Sequence, residues 1–350
     1  MIVFYIPKFR QGGLEAIFSR YFGKLLINNK VLLITDYRSL DYLDKKLVNH
    51  EHFQVELISG TRVKKIIDIC RILQHYRFKN IHCVQYDAAR LMVLLTNFFH
   101  TNIIYHERSY VNNVKLNMLK ILNYCSRKPI KVITANSLDQ VNLLARKFNT
   151  CQNIRLHNPI ISEPVRNDIT YTLQQKPRPR FFSVGRFDNQ KNIEFLIKNI
   201  DMVIHVFGSN IQLDIFLNKE SYLRAKDFLP HPAINYCNFE ADLSKKLHKY
   251  DMGIIPTKFE GFSNIIFEAG FAGVPLVINQ HDHGLREMED LFLMEIFNCD
   301  DLHTFENALE KVKSYIHSRK TYKLKADSLN MFCYARSLAE FSDVAEKLKA

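Results

Sequence analysis

Pro256-Thr-Lys-Phe-Glu260-Gly-Phe-Ser-Asn-Ile-Ile-Phe-Glu268-Ala-Gly-Phe-Ala-Gly-Val-Pro-Leu-Val277 reads as a strand end, a loop, a helix and the start of a further strand. Two glutamates stand in it with seven residues between them, Glu260 in the loop and Glu268 on the helix. Ser263 is suited to cap the helix, Asn264 to Phe267 form its first turn, and Gly273 with Pro275 stop it. The first-turn amides of a helix have no partner within it and carry the positive end of its dipole, so such a start favours a phosphate. A loop carboxylate beside it can accept hydrogen bonds from sugar hydroxyls, and a carboxylate on the helix from a ribose. Either glutamate alone would read equally well as a solvated surface residue.

Working outward, short β-rich runs alternate with helix-length segments. In the first half these runs are 2–6, 31–35, 53–58, 80–85, 102–106, 131–135 and 153–156. Between them lie 63–76 and 114–124, with apolar residues three and four apart. A polar stretch marked by prolines, 160–179, interrupts the alternation. It resumes with runs at 180–184, 202–207, 234–237, 252–256, 275–279 and 294–297. Strand alternating with helix implies a parallel sheet covered on both faces. The expectation is therefore α/β, two Rossmann-like domains facing across a cleft: 1–165, 166–325, and a C-terminal helix, 326–350, crossing back to the first. In open parallel sheets ligands bind beyond the carboxyl ends of the strands, so functional motifs should follow strands directly.

Composition fits this frame. In 350 residues, 47% are hydrophobic and 24% charged, close to folded soluble proteins and far from disordered ones. The seven cysteines are odd in number, scattered and without metal-type spacing, which suggests reduced thiols in a cytoplasmic protein. The most apolar stretch, 91–105, is broken by Asn97, His100 and Asn102 and falls short of the roughly 20 residues that span a bilayer. The charge is lopsided. Residues 1–170 hold 25 Lys and Arg against 12 Asp and Glu, a net +13, and the remainder 23 against 24, a net −1. A basic half attracts nucleic acid, anionic headgroups or a phosphorylated acceptor through the same field.

Three further strand ends carry polar chemistry. Gly185-Arg186 with Lys191-Asn192 follows the run 180–184: the glycine permits a sharp turn, and the two cations could neutralise a departing diphosphate. Gly12-Gly13 follows the first run and permits close approach of a phosphate or sugar, or only a tight turn. His106-Glu107-Arg108 ends the run 102–106, where a histidine could bond a sugar or move a proton, or be structural.

Together the glutamate pair, the Gly-Arg…Lys element and the Gly-Gly loop resemble the retaining GT-B glycosyltransferases of family 4, with the closest likeness over 251–278. The resemblance implies that Glu260 contacts the donor sugar, Glu268 the ribose, and the amides of Phe262, Ser263 and Asn264 the sugar and diphosphate. It puts Gly185, Arg186 and Lys191 on the diphosphate, Gly12 and Gly13 opposite the donor, and His106 on the donor sugar. Arg108 and Asn136 are then candidates for the acceptor. Asn136 belongs to Thr134-Ala-Asn136-Ser137, which with His157-Asn158-Pro159 resembles family segments near the hinge; Gly284-Leu-Arg-Glu287 resembles a donor-side loop lacking its usual glycines, and the pair Asp282-His283 reads as loop.

The implied activity is a metal-independent hexosyl transfer, with retention, from a nucleotide-diphosphate sugar to a glycan hydroxyl. No cofactor beyond the donor substrate is implied. Likeness to surface-polysaccharide enzymes suggests a lipid-linked acceptor in lipopolysaccharide, capsule or exopolysaccharide synthesis. The enzyme would then work at the inner face of the membrane as a peripheral protein. Segment 114–131, with Lys115, Lys120, Arg127 and Lys128 beside Leu116, Leu119 and Leu122, is a candidate lipid contact, or an ordinary amphipathic helix. The rivals are a non-catalytic partner of the same fold, another enzyme of that fold such as an epimerase or inverting transferase, and a nucleic-acid binder. Against the last, the basic residues are dispersed and no recognition motif is present.

Overall fold

Residues Ile2–Tyr5 and Val31–Asp36 are buried along their whole length, as strands covered on both faces must be. The structure is a computed structural model that describes residues 1–7, 13–36, 45–109, 113–127, 129–225, 231–238, 243–280 and 285–347. The two runs form β1 and β2 of a parallel sheet with β3 (Phe53–Ile58), β4 (Asn80–Val84), β5 (Asn102–Glu107), β6 (Ile130–Ala135) and β7 (Gln152–Arg155). Its order is β3-β2-β1-β4-β5-β6-β7, with Ile2 opposite Val31 and Asn80 opposite Asn102. Alternation along β1 divides the core. Val3 and Tyr5 join the cluster containing Ile69, Met92 and Leu119, while Ile2 and Phe4 join that of Phe18, Phe22 and Phe341.

The chain divides into two units, one of residues Met1–Pro164 with Met331–Ala350, the other Val165–Asn330. The second unit contains β8 (Ile169–Thr172), β9 (Arg180–Gly185), β10 (Gln212–Leu217), β11 (Ile234–Asn238), β12 (Met252–Ile255), β13 (Leu276–Asn279), β14 (Met294–Phe297) and β15 (Thr321–Leu324). Six of these form a parallel sheet in the order β11-β10-β9-β12-β13-β14. In both parallel sheets the strand order thus reverses once, between β1 and β4 and between β9 and β12. These reversals are the switch points at which open α/β sheets leave a crevice.

Three segments differ from their sequence reading. The run 202–207, read as a strand, lies in the helix Ile200–Phe207, where Ile200, Val203 and Val206 are buried at helical spacing. The neighbouring strand is β10, which starts at Gln212, beyond the turn at Gly208. The interrupting stretch 160–179 contains β8, which pairs antiparallel with β15, Thr172 opposite Thr321. Residues 326–350, read as one helix, form two, Ala326–Asn330 and Tyr334–Lys347, with the unit boundary between them. Asn330 ends the shorter helix by bonding its side chain to Val165, through Oδ1 to the amide at 2.8 Å and through Nδ2 to the carbonyl at 2.9 Å.

Candidate functional site

At the switch point of the second unit the loops leaving β9 and β12 are bound to each other. Gln190 accepts from the Lys258 amide through its carbonyl at 2.9 Å and donates Nε2 to the Phe259 carbonyl at 3.0 Å. These bonds bring Lys191 to Glu260, 69 residues away, and the ammonium donates to both carboxylate oxygens at 2.8 Å. Both side chains are partly shielded, so the pair is stronger than an ion pair in open water. The β9 loop is braced within itself. Asp188 accepts from Arg186 Nε and from the Lys191 amide, each at 2.8 Å, and Arg186 Nη2 reaches Gln190 Oε1 at 3.0 Å. Asn192 takes a left-handed conformation, φ 50°, to enter the helix Ile193–Lys198.

Gly185 is needed for close approach rather than for its dihedrals. A Cβ there would stand 2.8 Å from Lys191 Cβ and 3.1 Å from Cγ, so a side chain would push the lysine off its place. On the other loop, Phe262 and Ser263 are buried and lead into the helix Asn264–Phe271, whose ladder begins with the Phe267 amide on the Ser263 carbonyl at 3.3 Å. Ser263 holds the N-cap position with extended backbone, but contrary to expectation its hydroxyl makes no capping bond. Its Oγ and Thr257 Oγ1 are buried without a hydrogen-bond partner. Glu268 sits on that helix, half-buried. At the helix's far end Gly273 adopts φ +79°, turning the chain into β13.

The structure thus joins the loop after Gly185, with Arg186 and Lys191, to the loop bearing Glu260, which continues through Phe262 and Ser263 into the helix that starts at Asn264. It also shows residues the sequence reading passed over. Asp188 and Gln190 fix the cations, and Asn279, at the end of β13, donates to the Thr257 carbonyl at 2.9 Å and accepts from the Cys299 amide at 2.8 Å, tying the loops after β12, β13 and β14. The polar residues between Arg186 and Lys191 were the available signal.

In the first unit His106, expected on a donor sugar, lies in the core. It is fully buried, with Nε2 2.8 Å from His82 Nδ1 and Nδ1 2.8 Å from Thr134 Oγ1. Burial pushes its pKa well down, with His82 and Arg108 adding to the effect. Arg108 and Asn136, expected on an acceptor, are buried too. Arg108 Nη1 bonds the Leu156 carbonyl at 2.8 Å and its guanidinium lies 5.9 Å from the Tyr21 ring. The Glu107 carboxylate is buried and raised by burial, opposed by bonds from Tyr105, Ser109 and the Arg108 amide. Gly13 opens the helix Gly13–Leu25, whereas Gly12, Asp282, His283 and Gly284 lie outside the described residues, as does Lys128.

Residues 178–312, the segment carrying this loop pair, match the family Glycosyl transferases group 1. The chain is 28% identical over 153 residues to an N-acetylgalactosamine-N,N'-diacetylbacillosaminyl-diphospho-undecaprenol 4-alpha-N-acetylgalactosaminyltransferase of Campylobacter jejuni, covering 41% of this chain and 40% of that protein. Among solved structures it is similar in fold to sucrose-phosphate synthase of Thermosynechococcus elongatus, TM-score 0.74 at 13% identity over 99% and 98% of the two chains. It is similar also to Anabaena HepE in complex with UDP-glucose, TM-score 0.71 at 12% identity over 99% of each. A further likeness is to the lipopolysaccharide outer core galactosyltransferase WaaB, TM-score 0.67 at 16% identity over the full length of both. The fold is GT-B.

Proposed function

We propose that this chain, whose residues 178–312 belong to the glycosyl transferases group 1 family, moves a sugar from a nucleotide diphosphate to a hydroxyl of a lipid-linked glycan with retention of configuration. The observation that carries the reading is the Lys191–Glu260 pair, set at the switch point between β9 and β12 beside the start of the helix Asn264–Phe271. A cation, a carboxylate and a helix start within two facing loops are the groups that a sugar diphosphate needs. Donor binding belongs to 166–325 in this reading and acceptor binding to 1–165.

Glu260 accepts from sugar hydroxyls and Glu268 from the ribose, while Gly185 lets the chain approach closely. Lys191 uses two of its three N–H bonds on Glu260 and turns the third to the diphosphate, joined by Arg186 and the amides of Phe262, Ser263 and Asn264. The acceptor oxygen bonds the anomeric carbon from the face that the nucleotide leaves. The bond from that carbon to the β-phosphate oxygen breaks, and the acceptor proton passes to the departing phosphate. The protein contributes position and charge. With these cations in place the reaction is expected to proceed in a chelator, without a metal.

The acceptor class draws on the Campylobacter relative, whose name describes transfer onto a diphospho-undecaprenol-linked sugar, and on the +13 of residues 1–170. Lipopolysaccharide, capsule or exopolysaccharide synthesis at the inner face of the membrane is the corresponding setting. Incubation of the pure protein with UDP-, GDP-, ADP-, TDP- and CMP-sugars, followed as nucleotide release, tests the donor half. Release from one donor, lost in both Glu260→Ala and Lys191→Ala, is the expected result. A protein that neither hydrolyses nor binds any of the five would instead be a non-catalytic partner of the same fold.

A further inference from the structure

The helix Asn113–Tyr124 has two apolar stripes, and only one is used by the core. Leu116 and Leu119 are buried in the core cluster, and Asn123 is buried with them at helical spacing. On the opposite side Val114 is 77% exposed and Ile121 64%, with Met118 between them, again spaced by four and three. This stripe continues onto neighbouring turns. Asn97 Oδ1 accepts the Arg127 amide at 2.8 Å and the Ser126 hydroxyl at 3.4 Å, joining the turn after the helix Tyr86–Leu95 to the turn after Asn113–Tyr124. Those turns present Phe98, 83% exposed, and Tyr124, 92% exposed, with Leu94 beside them in sequence. A run of exposed large apolar residues on two joined elements asks for a partner.

The surrounding charge says which. Glu107 is the sole carboxylate between Asp87 and Asp139, and it is buried. Asp87 itself has Arg90 at 3.9 Å. Among the described residues, the exposed charges from 88 to 138 are therefore basic, Arg90, Lys115, Lys120, Arg127 and Lys131, with Lys147 drawn alongside by its bond to Asn117 Oδ1 at 2.8 Å. Apolar side chains fringed by Lys and Arg complement an anionic lipid surface, where the alkyl and aromatic groups enter the interface and the cations remain among headgroups. No helix among the described residues is long and apolar enough to cross a membrane.

We propose that the helix Asn113–Tyr124 and the turn bearing Phe98 dock this chain on an anionic lipid bilayer. The inference rests on the lipid-linked acceptor proposed above, yet binding to lipid needs neither donor nor acceptor and is measured separately. The full chain is sedimented with vesicles of pure phosphatidylcholine and with vesicles containing phosphatidylglycerol. Expected is binding to the anionic vesicles alone, weakened by salt, and at least about tenfold weaker in the K115E/K120E variant and in a F98S/I121S variant. All four positions are exposed, so both variants should keep the wild-type circular dichroism and the wild-type rate of donor hydrolysis. Equal binding to neutral vesicles, or binding untouched by both variants, overturns the proposal. So does a salt-dependent affinity for single-stranded RNA that exceeds that for vesicles, which would make the patch a nucleic-acid surface.

Discussion

Lys191 owes its position to a hydrogen atom's worth of space at Gly185. A methyl group at that site would meet Lys191 Cβ at 2.8 Å and Ile193 Cδ1 at 3.3 Å, so Gly185→Ala is expected to move the lysine from Glu260. We expect donor hydrolysis to fall at least about tenfold, with a midpoint of thermal unfolding lowered by only a few degrees, about 1 kcal/mol. A calorimetric scan beside the nucleotide-release assay checks both; unchanged release would mean that Lys191 does not act where it lies. That Gly185, Arg186, Lys191 and Glu260 follow strands directly was legible in the sequence, because position after an apolar run is a local pattern. Asp188 and Gln190 were not, since what they do depends on which carbonyl and guanidinium face them. The surroundings of His106 were not legible for the same reason: a histidine's role is set by its neighbours, and His82 with Thr134 meets both of its nitrogens.

Elements are held in register by a buried carboxylate at the amino-terminal side of the second sheet. Asp214, on β10, accepts from Gln212 at 2.8 Å, Asn235 of β11 at 3.1 Å, Tyr250 before β12 at 2.8 Å and Arg180 of β9 at 2.8 Å. Burial by itself would raise its pKa; the bonds from Gln212, Tyr250, Asn235 and Arg180 outweigh that and hold it below the ordinary carboxylate value. A depressed folded pKa contributes stability that is complete above the unfolded value, near 3.8, and is lost as pH falls through the folded one. Asp214→Asn is expected to destabilise the second unit by about 2–4 kcal/mol in urea at neutral pH, and the difference from wild type should narrow below pH 4. A difference constant down to pH 2 would place the effect in packing instead. None of this network could be read from Asp214 alone. Similarly the apolar run 202–207 did not show whether its spacing was helical until Ile200, Val203 and Val206 were seen to share one buried face.

Across the whole molecule, the last helix completes the first unit. Phe341 stacks on Tyr21 at 3.9 Å and lies 5.9 Å from Phe4, so Phe341→Ala should cost about 3–5 kcal/mol, read as a lowered urea midpoint for that unit. Beneath it lie His82 and His106, 2.8 Å apart between nitrogens, with Phe4 and Phe18 near by. Burial pushes His82 down to about 3 and His106 in the same direction, so both stay neutral when folded while the unfolded chain protonates near 6.5. The unfolded state then binds more protons, and stability falls as pH drops below about 6.5. Hydrogen exchange should show residues 1–164 losing protection first between pH 6 and 4; equal loss in both units would count against this cause. The sequence by itself determined the alternation of strand and helix in outline, and hence two parallel sheets, because the recurrence of apolar runs needs no distant contact to be visible; it did not place β8, β10 or β15. It determined too where cations and carboxylates fall relative to strand ends. Tertiary structure alone decided that Lys191 meets Glu260 across 69 residues, that His106 is enclosed, and that one face of Asn113–Tyr124 stays exposed, since each is a statement about which surfaces come together.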